Sequence, residues 1–185
     1  RAMAARRGPV TTGLLVGIGE TAEELAESLF VLAALAAETG AVQEVIVQNF
    51  RPKGGTPMAG RPEPAPQFLA RVAAVARWVL GPGMNLQAPP NLTDRFEVYL
   101  EAGVNDWGGV SPLTPDWVNP EAPWPALEEL RTRTAASGFR LMPRLPVYPE
   151  YLTEDWVAPG LLTRLRAAAD ARGYALDAPC ERPTR

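Results

Sequence analysis

The sequence predicts an α/β fold with a parallel sheet, on three observations. Short apolar or β-branched runs start near residues 13, 44, 84 and 104, and a helical pattern or a loop follows each run. Alternating strands and helices are typical of a parallel sheet. Of the 185 residues, 46% are hydrophobic, and the 20 prolines and 16 glycines are too few for a disordered chain. A buried core is therefore expected.

The first unit joins a strand at 13–19 to a helix. The strand is apolar and bounded by glycines, as expected of a strand buried on both faces. Thr21 and Glu24 have the spacing of a capping box, and Gly40 is a natural helix end. Four leucines at three- to four-residue spacing mark the buried face of this helix: Leu25, Leu29, Leu32 and Leu35.

Three further strands are predicted at 44–50, 84–88 and 104–110. The proline-rich segment 51–66 is expected to be an ordered loop, and the helix after it ends at Gly81-Pro82. That helix is marked by apolar side chains at Phe68, Val72, Val75 and Val79. A short helix, capped by Thr93 or Asp94 and ending at Gly103, precedes the fourth strand.

The last third of the chain is rich in proline and is expected to extend beyond the sheet. A helix from Pro125 to Gly138 precedes an extended segment at 141–151, which holds too many prolines for a central strand. A final helix is expected at 160–172, followed by a frayed tail with Cys180. We expect residues 1–150 to carry the sheet and residues 151–185 to form the C-terminal helix and tail. Three tryptophans are expected to pack: Trp117, Trp124 and Trp156.

Right-handed connections place the carboxyl ends of all the strands at one edge, where a binding site is expected. Four such units are half of an eight-unit TIM-type (β/α) barrel, which needs about 250 residues. The sequence therefore predicts the C-terminal half of such a barrel, with a proline-rich C-terminal extension.

Composition excludes several classes of function. Without histidine the chain lacks the commonest general base, and one cysteine cannot hold a metal cluster, so no metal ligand is expected here. A net charge of -3 without a basic stripe argues against nucleic acid. No apolar run is long enough to cross a membrane. A cytoplasmic protein that binds a small molecule is expected.

The strand ends carry the candidate site residues. The first has the motif Gly13-x-Leu15-x-Gly17-x-x-Glu20, which lacks the spacing of a phosphate-binding loop and also suits a glycine-rich strand ahead of a capped helix. The second has two amides that suit the edge of a pyrimidine ring, or that cap loop backbone instead, and two cations that can bind a carboxylate. These four residues are Gln48, Asn49, Arg51 and Lys53.

The third and fourth strand ends add Gln87, Asn91, Asn105, Asp106 and Trp107. Asp106 is the candidate catalytic residue, because a carboxylate there can move a proton or accept from a ring N–H. Trp107 can stack on a flat heterocycle. The alternative is that Asp106 bonds the following glycine amides and that Trp107 fills the end of the barrel.

These motifs together resemble the FO synthase family of radical S-adenosylmethionine (SAM) enzymes, which form a deazaflavin. The resemblance runs from about Gly13 to Tyr151 and is closer to the CofG-type radical half than to the CofH-type partner half. It is carried by QEVIVQNF at 43–50, QAPPNL at 87–92, NDWGGVSP at 105–112, and NPE with PWP at 119–125.

The resemblance implies a carbon–nitrogen lyase of the radical SAM type. In this family SAM is cleaved at a reduced [4Fe-4S] cluster, and the radical acts on a tyrosine adduct of 5-amino-6-ribitylaminouracil, with loss of ammonia. The resemblance implies SAM contacts at Gly13, Leu15, Gly17, Ile18 and Glu20, and substrate contacts at the polar residues of the other three strand ends. The family's Cys-x3-Cys-x2-Cys motif is absent, so the chain alone is expected to be inactive.

Departures from the family and two alternatives stay open. The resemblance implies histidine at the positions of Ala41 and Trp117. We attribute these two differences to structural drift, because both positions flank the motifs. One alternative is a non-catalytic module that binds a flavin-like ligand or docks on the partner half. The other is a sibling radical SAM enzyme of the biotin synthase or menaquinone type, in which NDWGGVSP is not expected.

Overall fold

The computed structural model describes residues 8–111 and 113–176 and confirms the α/β class. Its strands and helices within those ranges are β1 (Val10–Val16), α1 (Ala22–Thr39), β2 (Val42–Asn49), α2 (Pro66–Leu80), β3 (Asn85–Gln87), α3 (Glu97–Glu101), α4 (Leu127–Ala136) and α5 (Pro159–Ala167). Single 3-10 turns lie at Pro90–Leu92 and Pro149–Tyr151.

The sheet is parallel, with the order β1-β2-β3. Its register aligns Gly13 with Ile46, and Ile46 with Gln87. The strands predicted at 13–19, 44–50 and 84–88 are thus confirmed, although β1 ends at Val16. The chain turns there because Gly17 and Gly19 have φ values of 101° and 117°, which suit only glycine.

The prediction of a strand at 104–110 is wrong. Among the described residues, this segment makes one parallel bridge, between Gln87 and Asp106. The Asp106 carboxylate then accepts a hydrogen bond from the backbone N–H of Gly108 at 2.5 Å, and Gly109 has φ 77°. This turn takes the chain away from β3 directly after the bridge. The fourth unit therefore has the predicted position and direction, without the length of a strand.

The local signals for α1 are confirmed. Thr21 and Glu24 form the reciprocal capping box, and Gly40 ends the helix in the left-handed conformation. The predicted face is also correct: Leu25 and Leu29 are buried, and Leu32 and Leu35 pack at the edge of the same core.

The later helices differ from prediction in detail. The buried residues of α2 are Leu69, Val72, Ala73 and Ala76, whereas the marking residues Phe68 and Val75 are exposed. The face of α2 that contacts the sheet is rich in alanine, because the small side chain allows the helix to approach the sheet closely. The prediction that Thr93 or Asp94 caps α3 is wrong. The Thr93 hydroxyl accepts a hydrogen bond from the N–H of Arg95, which lies ahead of the helix. The last helix ends at Ala167, because the carboxylate of Asp170 closes a turn onto the N–H groups of Arg172 and Tyr174.

Two hydrophobic clusters stabilise the described residues. The larger lies between the sheet and the helices, where Phe96 and Trp107 meet edge to face at 5.2 Å. The smaller contains Leu145, Leu152, Val157 and Leu162, on both sides of position 150, so the division there stays a prediction. The segment expected to be extended, 141–151, contains no strand, as expected, but it bends at 146–147 and ends in the 3-10 turn at Pro149–Tyr151.

The three tryptophans of the C-terminal part have different environments. Trp156 packs against Tyr151 at 5.2 Å, and Trp124 is half-buried. The prediction that Trp117 packs is wrong. Its side chain is 80% exposed, because it lies at the tip of a turn closed by Asp116. The predicted tail with Cys180 falls in residues 177–185, which lie outside the ranges that the structure describes. None of the helices in the described ranges combines the length and hydropathy needed to cross a bilayer.

Candidate functional site

The sheet has one face covered by helices and one face that is exposed along β1. Val45 and Val47 point to the helices and are buried. Side chains of successive strand residues alternate between faces, so the opposite face carries the residues in register with Glu44, Ile46 and Gln48. We call the exposed part of this face the open face, defined by Thr11, Gly13, Leu15, Ile46 and Gln48; Glu44 and Gln87 lie on the same side of the sheet but are buried. Its β1 residues are exposed, and Leu15 is 45% exposed.

The turn at 17–20 lies at the carboxyl end of β1. The Glu20 carboxylate folds back over it and accepts hydrogen bonds from the N–H groups of Gly17 at 2.6 Å and Gly19 at 2.9 Å. Partial burial acts to raise the pKa of Glu20, but the backbone N–H groups, that of Gly17 foremost, lower it overall. Ile18, between the two glycines, is 44% exposed. Glu20 thus holds the turn in shape, and Ile18 remains available for contact.

Acid is expected to loosen this turn. A carboxylate with a depressed pKa contributes stability above its ordinary value of 4.5, and this contribution is lost as the pH falls through the lower folded pKa. Amide exchange at Gly17 and Gly19, corrected for its intrinsic pH dependence, should accelerate as the pH falls through the folded pKa of Glu20. In Glu20→Gln the acceleration should be absent. Equal acceleration in both proteins would contradict the assignment.

Gln48 and Asn49 are not brought together. Gln48 lies on the open face beside Leu15 and is half-buried. Asn49, next to Val16 on the helix-covered face, is 5% exposed. Because successive strand residues point to opposite faces, the two amides cannot read one edge of a ring. Gln48 remains the amide available on this strand.

Arg51 and Lys53 are ion-paired within the chain. Lys53 Nζ donates to Glu121 Oε1 at 2.7 Å and to Asn119 Oδ1 at 2.9 Å. Arg51 Nε lies 3.4 Å from Glu121 and 3.3 Å from Glu63. The hydrogen bond from Lys53 lowers the pKa of Glu121. The carboxylate expected near these cations is therefore one of the chain's own, and Glu121 belongs to the NPE motif that the sequence had already singled out.

Asn91 links two loops. Its Nδ2 donates to Asp116 Oδ2 at 2.9 Å and to the carbonyl of Ala122 at 2.8 Å, while its buried Oδ1 has no partner among the described residues. Asn91 and Arg51 both line a cavity of about 530 Å³, together with Trp124. These two predicted site residues are therefore close, in a cavity beside the carboxyl ends of β2 and β3.

Asp106 lies in a buried cluster of four side chains. Its Oδ2 accepts from Arg144 Nε at 2.5 Å and from the Tyr148 hydroxyl at 2.8 Å. Glu44 Oε1 accepts from Arg144 Nη2 at 2.8 Å and lies 2.7 Å from the Tyr148 hydroxyl, whose single proton can be donated to one of the two carboxylates at a time. We call Glu44, Asp106, Arg144 and Tyr148 the buried tetrad; its carboxylate side chains are 3% and 10% exposed.

The electrostatics of the buried tetrad favour a structural role. Burial acts to lower the pKa of Arg144, but the hydrogen bond to Asp106 and the surrounding charges raise it overall. Burial and the charge of Asp106 raise the pKa of Tyr148 above its ordinary value. Tyr151 accompanies the tetrad at the amino end of β2, where its hydroxyl donates to the Val42 carbonyl at 3.0 Å. No sequence signal pointed to Arg144 or Tyr148, because both lie in the irregular segment after α4.

The remaining predicted residues are also engaged. Gln87 is 7% exposed and lies against Gly108, where a Cβ would come within 1.8 Å of its Nε2. Asn105 Oδ1 accepts from the N–H of Leu86 at 2.7 Å. Trp107 is 6% exposed, and its Nε1 donates to Thr134 Oγ1 at 3.1 Å. The structure thus favours a core position for Trp107 over stacking on a ligand.

In the described ranges, no group of three or more Asp, Glu, His or Cys side chains is placed to hold a metal ion. The two positions at which the resemblance led us to expect histidine lie off the open face. Ala41 is buried just before β2, and Trp117 is exposed on a loop.

The fold and the site define a mixed α/β chain whose parallel sheet has an open face ending in a glycine turn. Comparison with known proteins then identifies its relatives. The chain is 50% identical over 168 residues to the 7,8-didemethyl-8-hydroxy-5-deazariboflavin synthase of Methanopyrus kandleri, a match that covers 90% of this chain and 50% of that protein. No family model matches the chain.

Two further relatives are named FO synthase. The chain is 51% identical over 165 residues to the protein of Streptomyces avermitilis and 51% identical over 174 residues to that of Mycobacterium tuberculosis. These matches cover 88% and 91% of this chain, but 19% and 20% of the relatives. The resemblance to the FO synthase family is thus confirmed: the chain is homologous to part of these synthases and spans between a fifth and a half of their length.

Proposed function

We propose that this chain is the C-terminal half of a radical SAM barrel in an enzyme that forms the deazaflavin FO. The supporting observation is the 50% identity to a deazariboflavin synthase over nine-tenths of the chain, in a segment whose sheet leaves one face open. The proposed substrate is the tyrosine adduct of 5-amino-6-ribitylaminouracil, made by a CofH-type partner half. The proposed reaction is a carbon–nitrogen lyase step that releases ammonia.

The residues of β1 and its turn suit the adenosyl part of SAM. Leu15 and Ile18 are exposed apolar side chains, and Gly13 beside them presents bare backbone, a combination that accommodates a flat purine ring. Glu20 keeps the turn closed through Gly17 and Gly19. When bound, SAM supplies the radical that abstracts hydrogen from the substrate.

The chain does not fit a [4Fe-4S] cluster. Such a cluster needs several cysteine thiolates, and the sequence has one cysteine, Cys180, and no histidine. In this proposal the cluster ligands come from outside this chain, and none of its residues takes part in holding the iron.

The substrate wall is proposed to be narrower than the sequence motifs imply. Gln48 is a half-buried side-chain amide of the open face, and an amide offers a donor and an acceptor in one plane, whereas Gln87 is buried against Gly108. Lys53 instead connects loops around the site, and Asp106 stabilises the buried tetrad below it. Orientation of the uracil part of the substrate by Gln48 is therefore the role we propose for this face.

A segment exchange tests the function. Residues 10–176 of this chain would replace the matching segment of the Streptomyces avermitilis FO synthase, and FO would be quantified by fluorescence and mass. FO formation is expected in the exchanged protein. Leu15→Asp in the same background should abolish it, because a carboxylate would face the purine. Leu161→Asp is the matched control, since Leu161 is equally exposed but lies on α5.

A folded exchange protein without FO formation, or full activity with Leu15→Asp, would refute the proposal. The 185-residue chain alone is expected to form neither cluster absorbance nor 5′-deoxyadenosine after anaerobic reconstitution, because it lacks the cysteines. The same assay on the exchange protein supplies the positive control.

A further inference from the structure

Polar contacts join several loops at the carboxyl edge of the sheet. Asp116 closes the loop at 113–125: its Oδ1 accepts from the N–H groups of Val118 at 2.9 Å and Asn119 at 3.0 Å. Its Oδ2 accepts from Asn119 Nδ2 at 3.1 Å and from Asn91 Nδ2 at 2.9 Å, which ties this loop to the segment after β3. Burial acts to raise the pKa of Asp116, but these hydrogen bonds lower it overall, so the acceptor is ionised at neutral pH.

Lys53 adds the loop that follows β2. Its ammonium group donates to Asn119, which is 4% exposed, and to Glu121, which are 66 and 68 residues further along the chain. Glu121 also pairs with Arg51, and Arg51 pairs with Glu63. We call these residues the loop network: Arg51, Lys53, Glu63, Asn91, Asp116, Asn119 and Glu121.

The loop at 51–66 in turn contacts the glycine turn at 17–20. A Cβ at Gly17 would lie 2.9 Å from the ring of Pro64, directly after Glu63 in the chain, and a Cβ at Gly19 would lie 2.8 Å from the guanidinium of Arg61. The loop therefore packs directly on the turn, and both glycines allow the close approach. Through the loop network, the turn is connected to the loop at 113–125.

The cations of the loop network are paired with carboxylates of the chain: Arg51 and Lys53 face Glu63 and Glu121. The third carboxylate, Asp116, accepts hydrogen bonds from backbone N–H groups and side-chain amides. This pairing makes the loop network poorly suited to bind a charged ligand and well suited to hold loops together. Lys53 is the sole lysine of the sequence. It is also the cation that donates to Asn119 and Glu121 together, so its loss would remove both of these hydrogen bonds between the two loops and leave the longer Arg51–Glu121 ion pair between them.

We infer that Lys53 is a positioning residue, which couples the turn at 17–20 to the loop at 113–125 so that the two respond to a ligand as one unit. The identity of that ligand, SAM, rests on the proposed function. The coupling itself rests on the contacts of Lys53, Glu121, Arg51 and the loop at 51–66 alone.

Amide hydrogen exchange of the full chain tests the coupling. In Lys53→Met, exchange should be about fivefold faster in three separate segments, 17–20, 51–63 and 113–121. Lys53→Arg, which keeps the charge and the donors, should restore part of the protection. Arg131→Met is the matched control, because Arg131 pairs with Glu128 on α4 outside the loop network, and should change none of the three segments. Faster exchange confined to 51–56 would show a merely local role and overturn the inference.

SAM as a probe separates this inference from the proposed function. In the unmodified chain SAM should slow exchange at 17–20 and at 113–121, whereas in Lys53→Met it should slow exchange at 17–20 alone. If SAM slows neither segment but Lys53→Met still accelerates all three, the coupling stands and the proposed ligand fails. If SAM slows both segments equally in Lys53→Met, the coupling is refuted.

A measurement on the unmodified side chain covers the case in which Lys53→Met does not fold. Reductive methylation of Lys53 should be several-fold slower than that of the lysine introduced by Arg131→Lys, because the Lys53 ammonium is held by two acceptors. High salt should narrow the difference by screening the ion pairs. Equal rates at low salt would overturn the inference.

Discussion

Arg144→Met is expected to lower the free energy of unfolding by about 3–5 kcal/mol. The substitution keeps most of the side-chain volume but removes the cation shared by Glu44 and Asp106, which are almost completely buried. Two carboxylates would then face each other across the Tyr148 hydroxyl, which has one proton to donate. Urea denaturation followed by circular dichroism measures the loss.

The matched control for this prediction is Arg131→Met, which removes an exposed ion pair with Glu128 and should cost no more than about 0.5 kcal/mol. Tyr148→Phe should fall between the two, at about 1–3 kcal/mol, since it removes a hydrogen bond to a charged group. If Arg144→Met and Arg131→Met were equally stable, the buried tetrad would have no structural role and Asp106 would again be a candidate for catalysis.

Gly13→Ala is expected to lower the free energy of unfolding by about 3 kcal/mol. A Cβ at position 13 would lie 2.2 Å from the carbonyl oxygen of Ile46 on the neighbouring strand. That atom is backbone in the central strand of the sheet, so the clash can be relieved only by moving β1 relative to β2. Thermal and urea unfolding should both show the loss.

Gly54→Ala is the control for Gly13→Ala, because nothing lies within 4 Å of its added Cβ, and it should change stability by less than about 0.5 kcal/mol. Equal stability of the two variants would contradict the close approach of β1 and β2. The prediction also bears on the SAM proposal: loss of binding in Gly13→Ala would reflect a shifted sheet, whereas Leu15→Asp changes the exposed surface without a new backbone clash.

Elements with a local cause were predictable from the sequence. The capping box of Thr21 and Glu24 and the left-handed Gly40 depend on a few neighbouring residues, and both are present as predicted. The predicted strand at 104–110 failed because its apolar and glycine-rich pattern suits a strand and a turn equally. The choice between them was made by the hydrogen bond from Gly108 to Asp106.

The candidate site was predictable in its location and only partly in its members. Strand ends carry polar residues, as expected, but Gln48 and Asn49 separate onto two faces. The two-residue period of a strand is a signal that separates such neighbours once the strand is assigned. By contrast, the side-chain partners of Lys53 and Asp106 lie 38 to 68 residues away, and no local sequence pattern predicts them.

The sequence by itself determined the α/β class, the order of the first three βα units and the kinship with FO synthases, because helix caps, strand runs and short motifs are written in contiguous residues. Only the tertiary structure decided which polar residues are exposed on the open face and which are paired within the chain. Asp106 and Lys53 are chemically suited to catalysis and substrate binding, yet each is neutralised by a distant group, Arg144 and Glu121. Charges pair according to distance in space, which the chain sets only when it folds.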